Sequence, residues 1–158
     1  MADDENKVPY SDVLSSVSAE LFAAIFSASS RKARETYFHR HGVRSSSKVR
    51  FSKPGAKTEA RIAQLYEVLK TEEDDEMAEE MLRTWLLTKR PMLSAALDHL
   101  GIEHDSGLTE SDDINKFEKL GKKEVRNIVE KLADHASREE IAVYLRFMGV
   151  KDVDKKLG

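Results

Sequence analysis

Apolar residues recur at helical spacing along most of the chain and seldom alternate as they do in a strand. From Val13 to Ile25, apolar side chains follow one another at four-residue steps, which predicts an amphipathic helix. Either Ser11 or Asp12 can cap its first turn. Because the apolar stripe continues beyond Ile25, the pattern predicts one helix over residues 11–41, which Gly42 then ends.

The same spacing returns after a polar interruption and predicts a helical core domain over residues 58–150. Residues 42–57 are rich in serine and basic residues and predict a flexible basic linker. Residues 1–10 are predicted to be a disordered leader, and residues 151–158 a C-terminal tail. The predicted fold is therefore all-α, a small bundle or orthogonal array of six to seven helices with an N-terminal helix and a basic linker.

Local signals mark where the helices of the core domain begin and end. Pro91 opens one helix at a position where its missing N–H costs nothing. Ser137 and Glu140 have the spacing of a capping box and open the last predicted helix. Two helices are predicted to end in the same way, with a left-handed glycine and an apolar residue that folds back, at Gly101–Ile102 and Gly149–Val150.

Composition narrows the classes of protein that fit. The chain of 158 residues suits one compact domain, or a core domain with an attached arm. It has no cysteine, which excludes disulfides and a thiol nucleophile and fits a reducing compartment. The first apolar run, Leu21–Phe26, is too short to cross a bilayer. Since the start of the sequence is acidic, unlike a secretory signal, we expect a cytoplasmic protein.

Charge is distributed unevenly, although the net charge is only −3. Between Arg31 and Arg61 there are ten Lys or Arg residues and two acids. Between Glu72 and Glu118 there are fourteen Asp or Glu residues and four bases. This separation is the main functional signal in the sequence.

The basic stretch is the candidate binding segment. Its first residues are predicted at the C-terminal end of the first helix, where basic side chains also complement the helix dipole. Its later residues lie in the linker, which can bind phosphates or rest on the acidic half of its own chain. A membrane surface is a less favoured partner, because no amphipathic face accompanies the charges. The candidate contacts to an acidic partner or to nucleic acid are Arg31, Lys32, Arg34, Arg40, Arg44, Lys48, Arg50 and Lys53.

The acidic run Glu72–Glu76 has a structural explanation. It follows Thr71, a residue suited to cap a helix, and precedes the apolar stripe of the next helix. Acidic side chains in a first turn stabilise a helix by about 0.3–1 kcal/mol each. A helix start is therefore favoured over a metal site.

The histidines suggest a further hypothesis, that of a metal-assisted enzyme. His99, His104 and Asp105 lie close together in sequence at a predicted helix end, and they are the set most similar to ligands of a metal-assisted enzyme. The His-Glu-x-x-His, Gly-rich phosphate-binding and Gly-x-Ser-x-Gly motifs are all absent. No catalytic residue, cofactor or metal ligand is assigned, and a non-catalytic protein is favoured.

The single tryptophan belongs to an apolar group at helical spacing. Trp85 follows Met77, Met81 and Leu82 on one face of a predicted helix. Methionine-rich surfaces can adapt to partners, but such a stripe in a small helical domain is more often core. We therefore predict that these residues are buried.

The sequence also contains a segment with four recognisable parts. Trp85-Leu86 is followed by an Arg-Pro-Met-Leu turn at 90–93, and then by Leu-Asp at 97–98 and Gly-Ile-x-His at 101–104. This segment resembles one found in uncharacterised bacterial all-helical proteins. The resemblance implies a bacterial cytoplasmic helical domain and implies no activity.

Together, these observations favour a non-catalytic helical interaction or adaptor module. Its partner is expected to be another protein or a second copy, joined through opposite charges at the two ends of the chain. The alternative is a nucleic-acid-binding protein that uses residues 31–57. The metal-assisted enzyme is a second alternative.

Overall fold

The computed structural model describes residues 9–42, 56–108 and 112–157 and confirms the all-α prediction. Within these ranges there is no strand, only an isolated bridge between Asp105 and Leu108. A helix of the 3-10 type covers Asp112–Lys119. In chain order, the α-helices are α1 (Tyr10–Ser15), α2 (Ala19–Ser27), α3 (Arg31–Arg40), α4 (Ala56–Leu69), α5 (Asp75–Leu86), α6 (Arg90–Leu100), α7 (Lys122–Leu132), α8 (Arg138–Phe147) and α9 (Val153–Leu157).

The prediction of a single helix over residues 11–41 needs correction, because this stretch contains α1, α2 and α3. The hydroxyl oxygens of Ser18 and Ser30 accept hydrogen bonds from the N–H groups of Leu21 and Ala33, both at 3.1 Å. Each serine has extended backbone and is the N-cap of a new helix. The apolar repeat persists through both breaks, so periodicity alone does not show them.

The first of two compact units comprises residues 10–85. In this unit α1 and α2 pack on α4, and the ring centroids of Phe22 and Tyr66 lie 5.0 Å apart. Such aromatic burial is a large stabilising contribution for a small unit. The end of this unit falls inside the predicted core domain 58–150, because the N-terminal helices cover α4 and form a core with it.

The second unit begins at Leu86 and contains the helix ending predicted around Gly101. Pro91 lies in the first turn of α6, and Gly101 follows the helix with a φ of 68°. The N–H of Ile102 donates to the carbonyl oxygen of Leu97 at 2.9 Å, and Ile102 is buried. This part of the prediction is confirmed, since every interaction in it is local.

The predicted capping box of α8 is confirmed as well. The N–H of Ser137 donates to Oε1 of Glu140 at 2.9 Å, and the N–H of Glu140 donates to Oγ of Ser137 at 3.2 Å. After α8, Gly149 has a φ of 95°, and the N–H of Val150 donates to the carbonyl oxygen of Leu145 at 2.9 Å. Both ends of α8 are therefore set by residues close in sequence.

The predicted tail, residues 151–158, needs correction because it contains α9. This short helix packs on α7 and α8. Val153 is buried, and Nζ of Lys156 donates to the carbonyl oxygen of Leu120 at 2.9 Å. A helix of this length is not stable alone, so tertiary contacts hold it in place.

The predicted leader and linker fall mostly on residues 1–8 and 43–55, which lie outside the described residues. At their borders, α1 already begins at Tyr10, and α4 begins at Ala56 and so includes the last two residues of the predicted linker. Of the helices described, none is long and apolar enough to cross a membrane.

Candidate functional site

Four of the eight predicted contact residues lie on α3. Arg31 and Lys32 are exposed in its first turn, Arg34 is half-buried, and Arg40 is its last residue. We refer to Arg31, Lys32 and Arg34 as the basic surface of α3. The other four predicted contacts, Arg44, Lys48, Arg50 and Lys53, lie outside the described residues.

The basic surface of α3 lies at the opposite end of a helix from the one predicted. Because Ser30 begins a new helix, Arg31 and Lys32 lie at an N-terminus and not near a C-terminus. Positive charge in a first turn opposes the helix dipole by about 0.3–1 kcal/mol per group. The first turn of α3 also contains no acidic side chain. The dipole therefore explains His39 and Arg40 in the last turn but not the basic surface.

The end of α3 is neutralised by acidic residues of the same unit. Nε of Arg40 lies 2.8 Å from Oδ2 of Asp74, and Nε2 of His41 lies 2.9 Å from the same oxygen. Nδ1 of His41 lies 2.7 Å from Oε2 of Glu72. Both ring nitrogens of His41 thus face carboxylate oxygens, and both bonds form together only when the ring carries both protons. We call Arg40, His41, Glu72 and Asp74 the Asp74 cluster.

Asp74 also begins α5, which corrects the prediction that Thr71 caps this helix. Oδ1 of Asp74 accepts a hydrogen bond of 3.1 Å from the N–H of Met77. Asp74 is buried, with 9 % of its surface exposed, whereas Thr71 is exposed. Asp74 is preferred because its second oxygen pairs with α3 while the first caps α5. Of the acidic run, only Asp75 and Glu76 lie in the first turn as predicted.

A second contact joins α3 to α5. The hydroxyl of Tyr37 donates to Oε1 of Glu80 at 2.5 Å. Burial, together with the hydrogen bond to Glu80 and its negative charge, raises the pKa of Tyr37 well above its ordinary value. Tyr37 therefore remains a neutral donor, and its role is to hold the two helices together.

Arg61 of α4 holds the middle of α3. Its guanidinium group contacts the Glu35 carboxylate at 3.2 and 3.3 Å and lies 4.0 Å from the ring centroid of Phe38. Glu35 and Arg40 of α3 are thus both paired inside the unit. Within the part of the chain that the structure describes, the basic surface of α3 forms no ion pair.

The histidine set does not come together as a ligand group. Nε2 of His104 lies 2.6 Å from Oδ1 of Asp98, and Nδ1 accepts the N–H of Gly107 at 3.0 Å. His104 therefore closes the turn after α6, while His99 and Asp105 are exposed. Among the described residues, no group of three or more His, Cys, Asp or Glu side chains is placed to hold a metal ion.

The predicted burial of the Trp85 group is confirmed. Met77, Met81, Leu82 and Trp85 are at most 3 % exposed. They form part of the core of the first unit, so none of them is a surface for a partner.

Sequence reasoning missed an open apolar groove between α2 and α4. It has a volume of about 250 Å³, and we call it the α2–α4 groove. Its lining combines apolar side chains with two exposed acids: Ala19, Phe22, Ala23, Glu59, Ile62, Ala63, Tyr66 and Glu67. The alanines at 19, 23 and 63 could have indicated the groove, because alanine at helical spacing leaves room between packed helices.

The described residues thus form an all-α protein with the basic surface of α3, the Asp74 cluster and the α2–α4 groove. Comparison with protein-family models, with curated proteins and with solved structures finds no match.

Proposed function

We propose that this chain is a non-catalytic helical interaction module whose basic surface of α3 binds an acidic surface of another protein or of a second copy. One observation carries the proposal. Arg31 and Lys32 are exposed and adjacent, lie where the helix dipole opposes their charge, and form no ion pair in the described chain. An acidic partner supplies the compensation that the fold does not.

A protein partner is favoured over nucleic acid by the charge balance of the first unit. Between residues 10 and 85 there are twelve Lys or Arg and twelve Asp or Glu residues, so the unit is neutral. Nucleic-acid-binding domains are usually strongly basic over one face. Arg40, a predicted contact, is already paired with Asp74. What remains suits a few ion pairs at the rim of a protein interface.

A non-catalytic role is supported by the way the histidines with defined partners are used. Both ring nitrogens of His41 face Glu72 and Asp74, and those of His104 face Asp98 of α6 and the N–H of Gly107 in the following turn. Neither ring is left for proton transfer to a substrate. The proposed setting is the cytoplasm of a bacterium, in keeping with the absence of cysteine and the resemblance of the segment 85–104.

The test is a double charge reversal with a matched control. Arg31→Glu with Lys32→Glu changes the proposed surface, and Lys122→Glu with Lys123→Glu changes an exposed basic pair in the first turn of α7, where Glu124 supplies the acidic side chain that the first turn of α3 lacks. Fluorescence anisotropy with labelled poly-glutamate and with single-stranded DNA measures binding of each variant. We expect the first reversal to weaken poly-glutamate binding about fivefold or more, and the control to change it little.

Other outcomes separate the partners. Absence of poly-glutamate binding at low salt, or equal loss in both double variants, contradicts the proposal. DNA binding that exceeds poly-glutamate binding and falls steeply with salt assigns the surface to nucleic acid instead. Light scattering of the chain alone shows whether its mass changes with salt, which distinguishes a second copy from a different protein.

A further inference from the structure

The α2–α4 groove is a formed feature of the first unit. The rings of Phe22 and Tyr66 lie against each other in it, with centroids 5.0 Å apart. The hydroxyl of Tyr66 donates to the carbonyl oxygen of Val17 at 2.5 Å, which fixes the ring. Ala19 and Ala63, which line it, are exposed. A ligand therefore meets a surface that is already ordered, and binding needs little rearrangement.

The size of the groove limits what it can hold. Its volume of about 250 Å³ is below the roughly 300–1,000 Å³ of pockets that enclose small-molecule ligands. One large apolar side chain fits a space of this size. Grooves between two helices commonly receive such side chains from an amphipathic helix of a partner.

The acidic residues that line the groove determine which kind of partner helix fits it. Glu59 and Glu67 line the groove, and they lie four residues before and four residues after Ala63 on α4. Eight residues of helix separate them by about 12 Å. Nζ of Lys70 already lies 3.3 Å from Oε1 of Glu67 and 4.3 Å from the ring centroid of Tyr66, so this rim accommodates an ammonium group. None of the described side chains that line the groove is basic.

We propose that the α2–α4 groove binds an amphipathic helix of a partner protein that carries one large apolar residue with a basic residue four positions before it and four after it. A partner helix has the same rise per residue as α4, so its two basic residues match the spacing of Glu59 and Glu67 while the apolar side chain lies over Ala63. This surface shares no residue with the basic surface of α3, so the two tests fail or succeed independently.

The probe is a synthetic alanine-rich peptide of about 18 residues, long enough to be partly helical, with a central leucine and lysines four positions on either side. One control peptide replaces the leucine by alanine, and another replaces both lysines by glutamate. Amide chemical shifts of the intact ¹⁵N-labelled chain, measured by NMR during titration, locate the binding site and give Kd.

Two substitutions on α4 form a matched pair. Ala63→Leu fills the groove, and Gln64→Leu adds a similar side chain at the neighbouring exposed position outside it. We expect chemical-shift changes confined to α2 and α4. The Kd for the lysine peptide should be at least tenfold higher in Ala63→Leu and unchanged in Gln64→Leu. Glu59→Lys with Glu67→Lys should weaken binding of the lysine peptide and strengthen binding of the glutamate peptide. Ala23→Leu repeats the groove-filling test from α2, should Ala63→Leu fail to fold.

Several results would overturn the proposal. These are an absence of shifts up to millimolar peptide, equal binding of the alanine control, and unchanged binding in the groove-filling variants. Equal binding of the lysine and glutamate peptides would reduce the groove to a non-selective apolar surface. Shifts of the same amides that depend on chain concentration without peptide would assign the groove to a second copy.

Discussion

Removing the side chain of Asp74 is the most informative perturbation of the first unit, because this carboxylate both caps α5 and pairs with the end of α3. Loss of the cap costs about 1 kcal/mol. The His41 side chain, only 7 % exposed, loses a charged hydrogen bond worth about 1.5–3 kcal/mol. Arg40 is 47 % exposed, so its pairing adds less than about 1 kcal/mol. Asp74→Ala should therefore lower the free energy of unfolding by about 2.5–5 kcal/mol.

Two further variants separate the contribution of the helix cap from that of the charge of Asp74. Asp74→Asn keeps an oxygen that can accept from the N–H of Met77 and removes only the charge, so we expect it to cost less than Asp74→Ala by about the value of the cap. Glu73→Ala removes the neighbouring exposed acid and should change stability by less than about 0.5 kcal/mol.

Urea unfolding followed by tryptophan fluorescence measures these changes. Trp85 is the only tryptophan of the chain, is 3 % exposed and belongs to the first unit, so its signal reports unfolding of that unit. An Asp74→Ala variant as stable as Glu73→Ala would refute the assignment of a structural role to the Asp74 cluster. Equal loss in Asp74→Asn and Asp74→Ala would show that the cap contributes nothing.

The second unit gives two more predictions. Burial alone raises the pKa of Glu140, but hydrogen bonds from Lys89 and the Ser137 backbone, together with the charge of Lys89, lower this pKa overall. The ionised Glu140 carboxylate therefore stabilises the fold above the ordinary value of 4.5, and this stabilisation is lost as pH falls through the lower folded-state pKa. Urea midpoints from circular dichroism between pH 3 and 6 should converge at low pH for wild type and Glu140→Gln; parallel curves contradict this. Gly107→Ala places a Cβ 2.6 Å from that of Leu93 and should lower the thermal midpoint more than Gly101→Ala, which meets open space; equal losses would count against the close packing.

Much of the local structure follows from short stretches of sequence. The box of Ser137 and Glu140 and the glycine endings at 101 and 149 involve residues three to five apart, so their interactions form wherever the helix forms. The apolar stripe predicts the burial of the Trp85 group for a similar reason, since one helix face must meet the core. Ser18 and Ser30 carried an equally local signal that the continuing stripe obscured.

The charged residues behave differently. Arg40 and Asp74 are thirty-four positions apart, and Tyr37 and Glu80 are forty-three apart, so no local pattern pairs them. Thr71 and Asp74 are both acceptable caps by residue type, and the contact of Asp74 with α3 favours it over Thr71. The α2–α4 groove likewise exists only where two helices meet with small residues between them.

The sequence by itself therefore determined the all-α class, the ends of the later helices and the identity of the buried faces, because propensity, capping and periodicity act over a few residues. The tertiary structure decided which charges are paired and which are exposed, because an ion pair depends on the distance between helices and not on their order in the chain. In this protein, Arg31 and Lys32 are left exposed, whereas Arg40 and His41 pair with acidic residues within the fold.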